Sequence, residues 1–238
     1  MKLFAETRNV AVMCIASAMW YMVCLMFIPE PWCAIFKVIP LAILVAALAT
    51  KLKETTDPFD RKTLILPIIA LCLSMVGDVF GDTKLGAFHD VSFLLQIFFF
   101  MAAHFVYIGS FVRFGTAPRP EGLSKLDLAG RIAIATILVI ALVALCDNML
   151  PALESKFRIA VCAYMVITIM MAFTSLMQTR RHVWYVILGA TLFVISDAII
   201  AWTSFIPNNI PLSVEDTMVF LTYYGAQILL NIGLIKKH

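Results

Sequence analysis

The sequence predicts an all-α, polytopic membrane bundle of eight transmembrane helices with both termini cytoplasmic. Three observations lead there. Of the 238 residues, 62% are hydrophobic and only 14% charged, far from the balance of a soluble domain. The apolar residues come in stretches of about 18 to 22, the length a helix needs to cross roughly 30 Å of hydrocarbon, whereas a barrel strand needs only about ten alternating residues. Backbone groups in hydrocarbon must be bonded within the protein, and uniformly apolar stretches of that length satisfy them as helices. The third observation is charge placement. Fourteen Lys and Arg residues fall on one side of the alternating spans, at the amino terminus (Lys2, Arg8), after span two (Lys51, Lys53, Arg61, Lys62), after span four (Arg113, Arg119, Lys125, Arg131), after span six (Arg180, Arg181) and in the tail (Lys236, Lys237). The other side holds four, Lys37, Lys84, Lys156 and Arg158, and the positive-inside rule then puts both termini in the cytoplasm.

The spans run from Val10 to Ile28, Cys33 to Ala49, Leu64 to Val79, Val91 to Val112, Ala129 to Cys146, Ile159 to Met177, Val183 to Ser204 and Thr217 to Ile235. The first follows Lys2 and Arg8 as a signal peptide would, but it is long, lacks a small-residue cleavage site and is followed by further spans, so it reads as a helix. Spans two and three are short, the third bracketed by Pro67 and by Gly77-Asp78 with Gly81 and Asp82 following. Both are expected to extend through polar ends enclosed by protein. No stretch remains for a soluble domain with its own core, so residues 1–238 form one membrane domain. The segment Gly115 to Lys125, with Pro118, Pro120 and Gly122, is the natural hinge between two four-helix halves, about 1–115 and 125–238. Span three ends Ser74-Met75-Val76-Gly77-Asp78 and span seven contains Ile195-Ser196-Asp197, a parallel repeat in outline.

Function classes narrow by what is missing. The net charge of +3 is spread over short loops, which fits orientation and no nucleic-acid surface. Cys14, Cys24, Cys33, Cys72, Cys146 and Cys162 lie in or beside apolar stretches without metal-ligand spacing and read as small hydrophobes; Cys33 and Cys146 fall near one face, a weak disulfide pairing. There is no nucleophile elbow, His-Glu-x-x-His zinc motif, phosphate loop or dinucleotide motif. His89 and His104 lack local ligand spacing, so zinc is disfavoured and no cofactor is expected.

An ionised side chain in hydrocarbon costs several kcal/mol, so charge inside a span marks a polar cavity or a helix end at the headgroups. Lys37 near the start of span two, Asp78 at the end of span three and Asp197 past the middle of span seven are all displaced toward the non-cytoplasmic face, where one pocket would collect them. Ser74 and Asp82 lie one turn before and after Asp78. Span eight adds Tyr223, Gln227 and Asn231 at spacings of four, with Tyr224 beside them, and span four adds Gln96, His104 and Tyr107. Plainer roles stand beside these. Asp78 and Asp82 fit a wet helix end, Lys37 fits a snorkelling residue or a simple partner of Asp78, His104 fits a packing histidine, and Tyr223, Tyr224, Trp20, Trp32, Trp184 and Trp202 fit interfacial anchors or packing. Two carboxyls in one pocket would leave one protonated beside an ionised partner, the pair needed for acid and base work.

In their order along the chain, Lys37-x-x-Pro40, Gly77-Asp78, His104-x-x-Tyr107, Ser196-Asp197 and Tyr224-x-x-Gln227 resemble the YhhN membrane family, whose vertebrate members are lysoplasmalogenases. The resemblance implies an eight-helix hydrolase of the vinyl ether bond of lysoplasmalogen, releasing a fatty aldehyde and glycerophospho-ethanolamine or glycerophospho-choline. It implies Asp78 and Asp197 as catalytic carboxylates, with Lys37, His104, Tyr107, Tyr224 and Gln227 lining or supporting the pocket and Asp82 as an addition. The placement of the residues themselves adds Ser74, Ser196 and Tyr223 to that pocket, and the acid and base chemistry needs no metal. The expected partners are a membrane lysolipid and the bilayer, which is the cytoplasmic membrane if the source is bacterial; nothing in the sequence sets an oligomeric state. The alternatives are a small transporter or carrier of a lipid-like amphiphile using the same polar set, and another carboxylate hydrolase such as an intramembrane aspartic protease, whose Gly-x-Gly-Asp context is missing here.

Overall fold

A computed structural model describes residues 7–28, 32–82, 89–114, 124–179, 182–207 and 209–235. Eight α-helices follow one another: α1 (Thr7–Phe27), α2 (Cys33–Glu54), α3 (Pro58–Asp82), α4 (His89–Phe114), α5 (Lys125–Met149), α6 (Ser155–Leu176), α7 (Val183–Phe205) and α8 (Leu212–Ile235). Each contains a stretch long and apolar enough to cross a membrane, and the described residues contain no strand. The chain is an integral membrane protein, with eight helices among its described residues. The proposed hinge lies mostly outside the described residues, as does Lys84.

Helix ends are set by local chemistry that hydropathy does not register. Asp57 precedes Pro58 at the start of α3 and its carboxylate accepts the amide of Asp60 at 2.8 Å, an N-cap followed by proline at the first helical position. At the end of α2, Arg61 Nη1 donates to the carbonyls of Leu52 and Thr55 at 2.9 and 3.0 Å, so exposed carbonyls of a helix end gain a cation. Spans two and three therefore continue well beyond their apolar portions. Pro67 lies inside α3 and does not bracket it, and Pro40 lies inside α2. Each removes one backbone donor from its helix.

The chain divides into two compact units, one comprising residues 1–110 with 231–238, the other residues 111–230. In the first, α1 packs on α2 and α2 on α3, with the Cys14 thiol donating to the Pro40 carbonyl at 3.5 Å. Gly77 and Gly81 of α3, one turn apart, receive Phe100 and Gln96 of α4. A Cβ at Gly77 would lie 2.9 Å from the Phe100 ring and one at Gly81 2.5 Å from the Gln96 amide. Phe80 stacks on Phe99 beside them, centroids 5.7 Å apart. Small residues at such spacing let membrane helices approach closely where burial from water gives no drive.

In the second unit, Leu176, Val183 and Ile187 form a core with Ile134, Ala135, Phe173 and Trp184, joining α5, α6 and α7. Arg131, in the second turn of α5, is only 5% exposed. Its guanidinium donates to the carbonyls of Leu176 and Gln178 at the carboxyl end of α6. Ser124 caps α5 by accepting the Asp127 amide at 3.0 Å, and Asp127 in turn accepts from the Trp184 indole at 2.8 Å. Gly189 of α7 meets α8 at backbone distance: a Cβ there would sit 2.7 Å from the Leu230 amide nitrogen and 3.0 Å from the Ala226 carbonyl oxygen.

All six cysteines are thiols, so no bond joins Cys33 to Cys146. Trp20, Trp32 and Trp202 are exposed, as headgroup anchors are. Tyr223 and Tyr224 are buried and pack inside the protein.

Candidate functional site

The sequence-predicted residues fall into two buried polar groups, one in each unit. In the first, α2 carries Lys37 and α3 carries Asp78, and the ammonium lies 3.8 Å from a carboxylate oxygen of Asp78. Asp78 is 2% exposed; an ion removed from water needs a counter-charge of this kind, because the loss of hydration is otherwise uncompensated. Gly77, immediately before it, admits the Phe100 ring where a side chain would stand. One turn earlier on α3, the buried Ser74 hydroxyl has no hydrogen-bond partner among the described residues, a polar atom available to a bound molecule.

Helix α4 continues this unit's polar set. His104 and Tyr107 are fully buried and one turn apart. The His104 Nδ1–H donates to the Phe100 carbonyl at 2.7 Å, since a carbonyl can only accept. The Tyr107 hydroxyl accepts from the Asn231 amide at 3.2 Å. Tyr107 and Asn231 thus tie α4 to the end of α8 through buried polar side chains, as polar residues join membrane helices. Their role here is at least architectural. The side chains of Asp82 and His89 lie outside the described residues.

In the second unit Asp197 on α7 is half-buried. One carboxylate oxygen, Oδ2, accepts the Tyr164 hydroxyl at 2.8 Å and the Thr168 hydroxyl at 3.4 Å. Both donors sit on α6 and neither stands among the residues singled out from the sequence. Their only signal there is two hydroxyls spaced by four in an apolar helix, which is common in membrane spans. Ser196 is buried, with no hydrogen-bond partner for its hydroxyl among the described residues.

One turn before Asp197, Phe193 meets Tyr223 edge-on with centroids 5.6 Å apart. Tyr223 lies 5.2 Å from Tyr224, and Tyr224 5.2 Å from Phe220. The aromatic group therefore borders the helix face that carries Asp197, and Gln227 follows one turn along α8, fully buried. Asp78 with Lys37 and Ser74 belongs to one unit; Asp197 with Ser196, Tyr223, Tyr224 and Gln227 belongs to the other. Among the described residues no three His, Cys, Asp or Glu side chains gather as a metal site.

A family model, that of the YhhN family, matches residues 32–234 of this chain. The chain belongs to the YhhN family. Everything from α2 to nearly the end of α8 falls inside the matched region of this YhhN chain, including Lys37, Asp78, His104, Asp197 and Gln227. Among curated proteins it is similar to human lysoplasmalogenase TMEM86B, 30% identical over 138 residues, which are 58% of this chain and 52% of the relative. The rat protein of the same name is 28% identical over 138 residues, 58% of this chain and 50% of the relative. The mouse protein is 29% identical over 138 residues, again 58% of this chain and 52% of the relative. The YhhN chain spans about half the length of the curated relatives it matches. No solved structure matches it.

Proposed function

We propose that this YhhN chain is a lysoplasmalogenase-like ether hydrolase that cleaves the vinyl ether of a lysoplasmalogen, with Asp78 and Asp197 as its catalytic carboxylates. The observation that carries the reading is the Lys37–Asp78 ion pair, held 3.8 Å apart on two apolar helices with Asp78 almost fully enclosed. Charge within membrane helices is rare and by default marks a functional site. The names of the relatives supply the substrate class, a lysoplasmalogen, and the family resemblance adds the two headgroups, giving an alkenyl-glycerophosphoethanolamine or alkenyl-glycerophosphocholine.

The chemistry asks for one acid and one base. A carboxylic acid protonates the alkene carbon remote from the ether oxygen, the alkene electron pair forms the new C–H bond, and the ether oxygen donates a lone pair to the electron-poor carbon beside it, making an oxocarbenium ion. A carboxylate stabilises that cation and takes a proton from the water that adds to it. The hemiacetal then collapses to a fatty aldehyde and the glycerophospho-alcohol. Lys37 is suited to hold the Asp78 carboxylate or meet the substrate phosphate. Ser74 and Ser196 offer buried hydroxyls to water or a glycerol oxygen, and the aromatic side chains around Tyr223 and Tyr224 suit the alkenyl chain. His104, Tyr107 and Gln227 support the arrangement from within the helices. A single-chain substrate enters laterally from the bilayer with its headgroup toward the non-cytoplasmic face.

The test is aldehyde release from lysoplasmalogen by detergent-purified protein, beside Asp78→Asn and Asp197→Asn proteins of unchanged thermal stability. The parent should turn over without any ion gradient, and each variant should lose at least about 100-fold in kcat, as removal of a proton-transfer group does. A folded parent that releases no aldehyde overturns the substrate, and full activity in either variant overturns that carboxylate's role.

A further inference from the structure

Helices α7 and α8 run antiparallel in a constant register, and that register puts an unsatisfied hydroxyl inside their seam. Gly189 lies against Ala226 and Leu230, Phe193 meets Tyr223 edge-on at 5.6 Å, and the Thr203 hydroxyl donates to a Glu215 carboxylate oxygen at 2.6 Å. Ser196 stands seven residues after Gly189 and seven before Thr203, so it lies on the same helix face and is directed at α8. It is 1% exposed, and its hydroxyl has no hydrogen-bond partner among the described residues. Burial changes along the seam at this level. From Tyr223 onward α8 is enclosed, with Tyr224, Ala226, Gln227 and Leu230 buried; before it, Asp216, Thr217, Met218 and Leu221 are exposed. A helix half with so few buried side chains opens at low cost. The Thr203–Glu215 bond spans this looser half and is easily released. The Thr203 hydroxyl also lies 2.9 Å from the Ile199 carbonyl, so its one proton can leave Glu215 and stay bonded. Glu215, in the first turn of α8, keeps the favourable field of the helix amino terminus.

We propose that the α7–α8 seam around Ser196 is the doorway and seat of a single-chain ether lipid, with the Thr203–Glu215 bond as its latch. The proposal rests on the reading of this chain as a lysolipid ether hydrolase and says where that substrate enters. The headgroup stays near the helix ends, where Thr203 and Glu215 stand. The chain reaches inward against the rings of Phe193 and Tyr223, and a glycerol oxygen bonds the Ser196 hydroxyl, which burial otherwise leaves unsatisfied. That contact sets the ether beside Asp197, the next residue of α7.

The probe is a 1-alkyl lysophosphatidylcholine with a diazirine in its chain, which has no alkene to protonate and so binds without being cleaved. Irradiated with the purified protein, it should label α7 and α8 beside Phe193 and Tyr223, as read by peptide mass spectrometry. Labelling confined to other helices overturns the proposal. In a cysteine-less background, Thr203→Cys/Glu215→Cys joined by a short reducible bis-thiosulfonate should lose at least about ten-fold in labelling, and reductant should restore it, because a closed latch shuts the doorway. Cross-linked protein that labels as well as the reduced protein overturns the proposal. Ser196→Ala, at unchanged thermal stability, should raise the probe concentration for half-maximal labelling about five-fold, the loss expected for one hydrogen bond; an unchanged value overturns the seat at Ser196. If the parent labels in the seam but releases no aldehyde from lysoplasmalogen, the doorway stands and the vinyl ether reading falls.

Discussion

At the scale of single residues, the ion pair makes a prediction that separates its structural and chemical roles. Lys37→Met leaves the Asp78 carboxylate enclosed without the ammonium that stands 3.8 Å away, and breaking a buried pair from one side costs about 3–5 kcal/mol. Adding Asp78→Asn removes the charge as well. The double variant should therefore melt higher than Lys37→Met alone, measured by thermal unfolding in detergent, while remaining inactive. Lys37 and Asp78 were legible in the sequence because a charge in an apolar run is conspicuous. Tyr164 and Thr168 were not, because hydroxyl residues in membrane helices usually bond their own backbone, as Thr136, Thr174 and Thr191 do. Only the facing of α6 and α7 tells Tyr164 and Thr168 apart from those. Arg131 was misread for the opposite reason. Counted among the loop charges by its place in the sequence, it is a buried helix residue whose partners are backbone carbonyls, and carbonyls leave no mark in a sequence.

Between elements, the glycines rank by what they touch. A methyl at Gly189 would press on the α8 backbone, 2.7 Å from the Leu230 nitrogen, and backbone cannot yield without moving the helix. At Gly77 the obstacle is the Phe100 ring; at Gly81 it is the mobile end of Gln96. Overpacking costs typically about 1–3 kcal/mol, so thermal stability should fall in the order Gly189→Ala, then Gly77→Ala, with Gly81→Ala mildest. Equal melting temperatures for the three would contradict these contacts. The start of α3 was also present in the sequence, as Asp57 before Pro58, yet hydropathy alone begins the span at Leu64. Apolarity measures what lipid tolerates, whereas caps and the Arg61 bonds to α2 decide where the backbone stops being helical. Packing partners were hardest to read. Helix α5 contacts α7 as well as its sequence neighbour α6, and side chains apolar on every side give no preferred face.

For the whole molecule, the count of eight spans was readable because length and composition alone fix it. Charge asymmetry makes a further prediction. In a cysteine-less background, a cysteine introduced at Ser155, the first residue of α6, should react with a membrane-impermeant maleimide added outside intact cells, and one at Ser124, before α5, should not. The reverse pattern would overturn the orientation, and with it the side from which substrate enters. The Arg131 clamp bears on how the chain reaches the membrane in the first place. The carbonyls it bonds lie at Leu176 and Gln178, about 45 residues downstream. Those acceptors exist only once the chain through Gln178 has been made, so the Arg131 end of α5 can reach its final packing only after all of α6 has been synthesised.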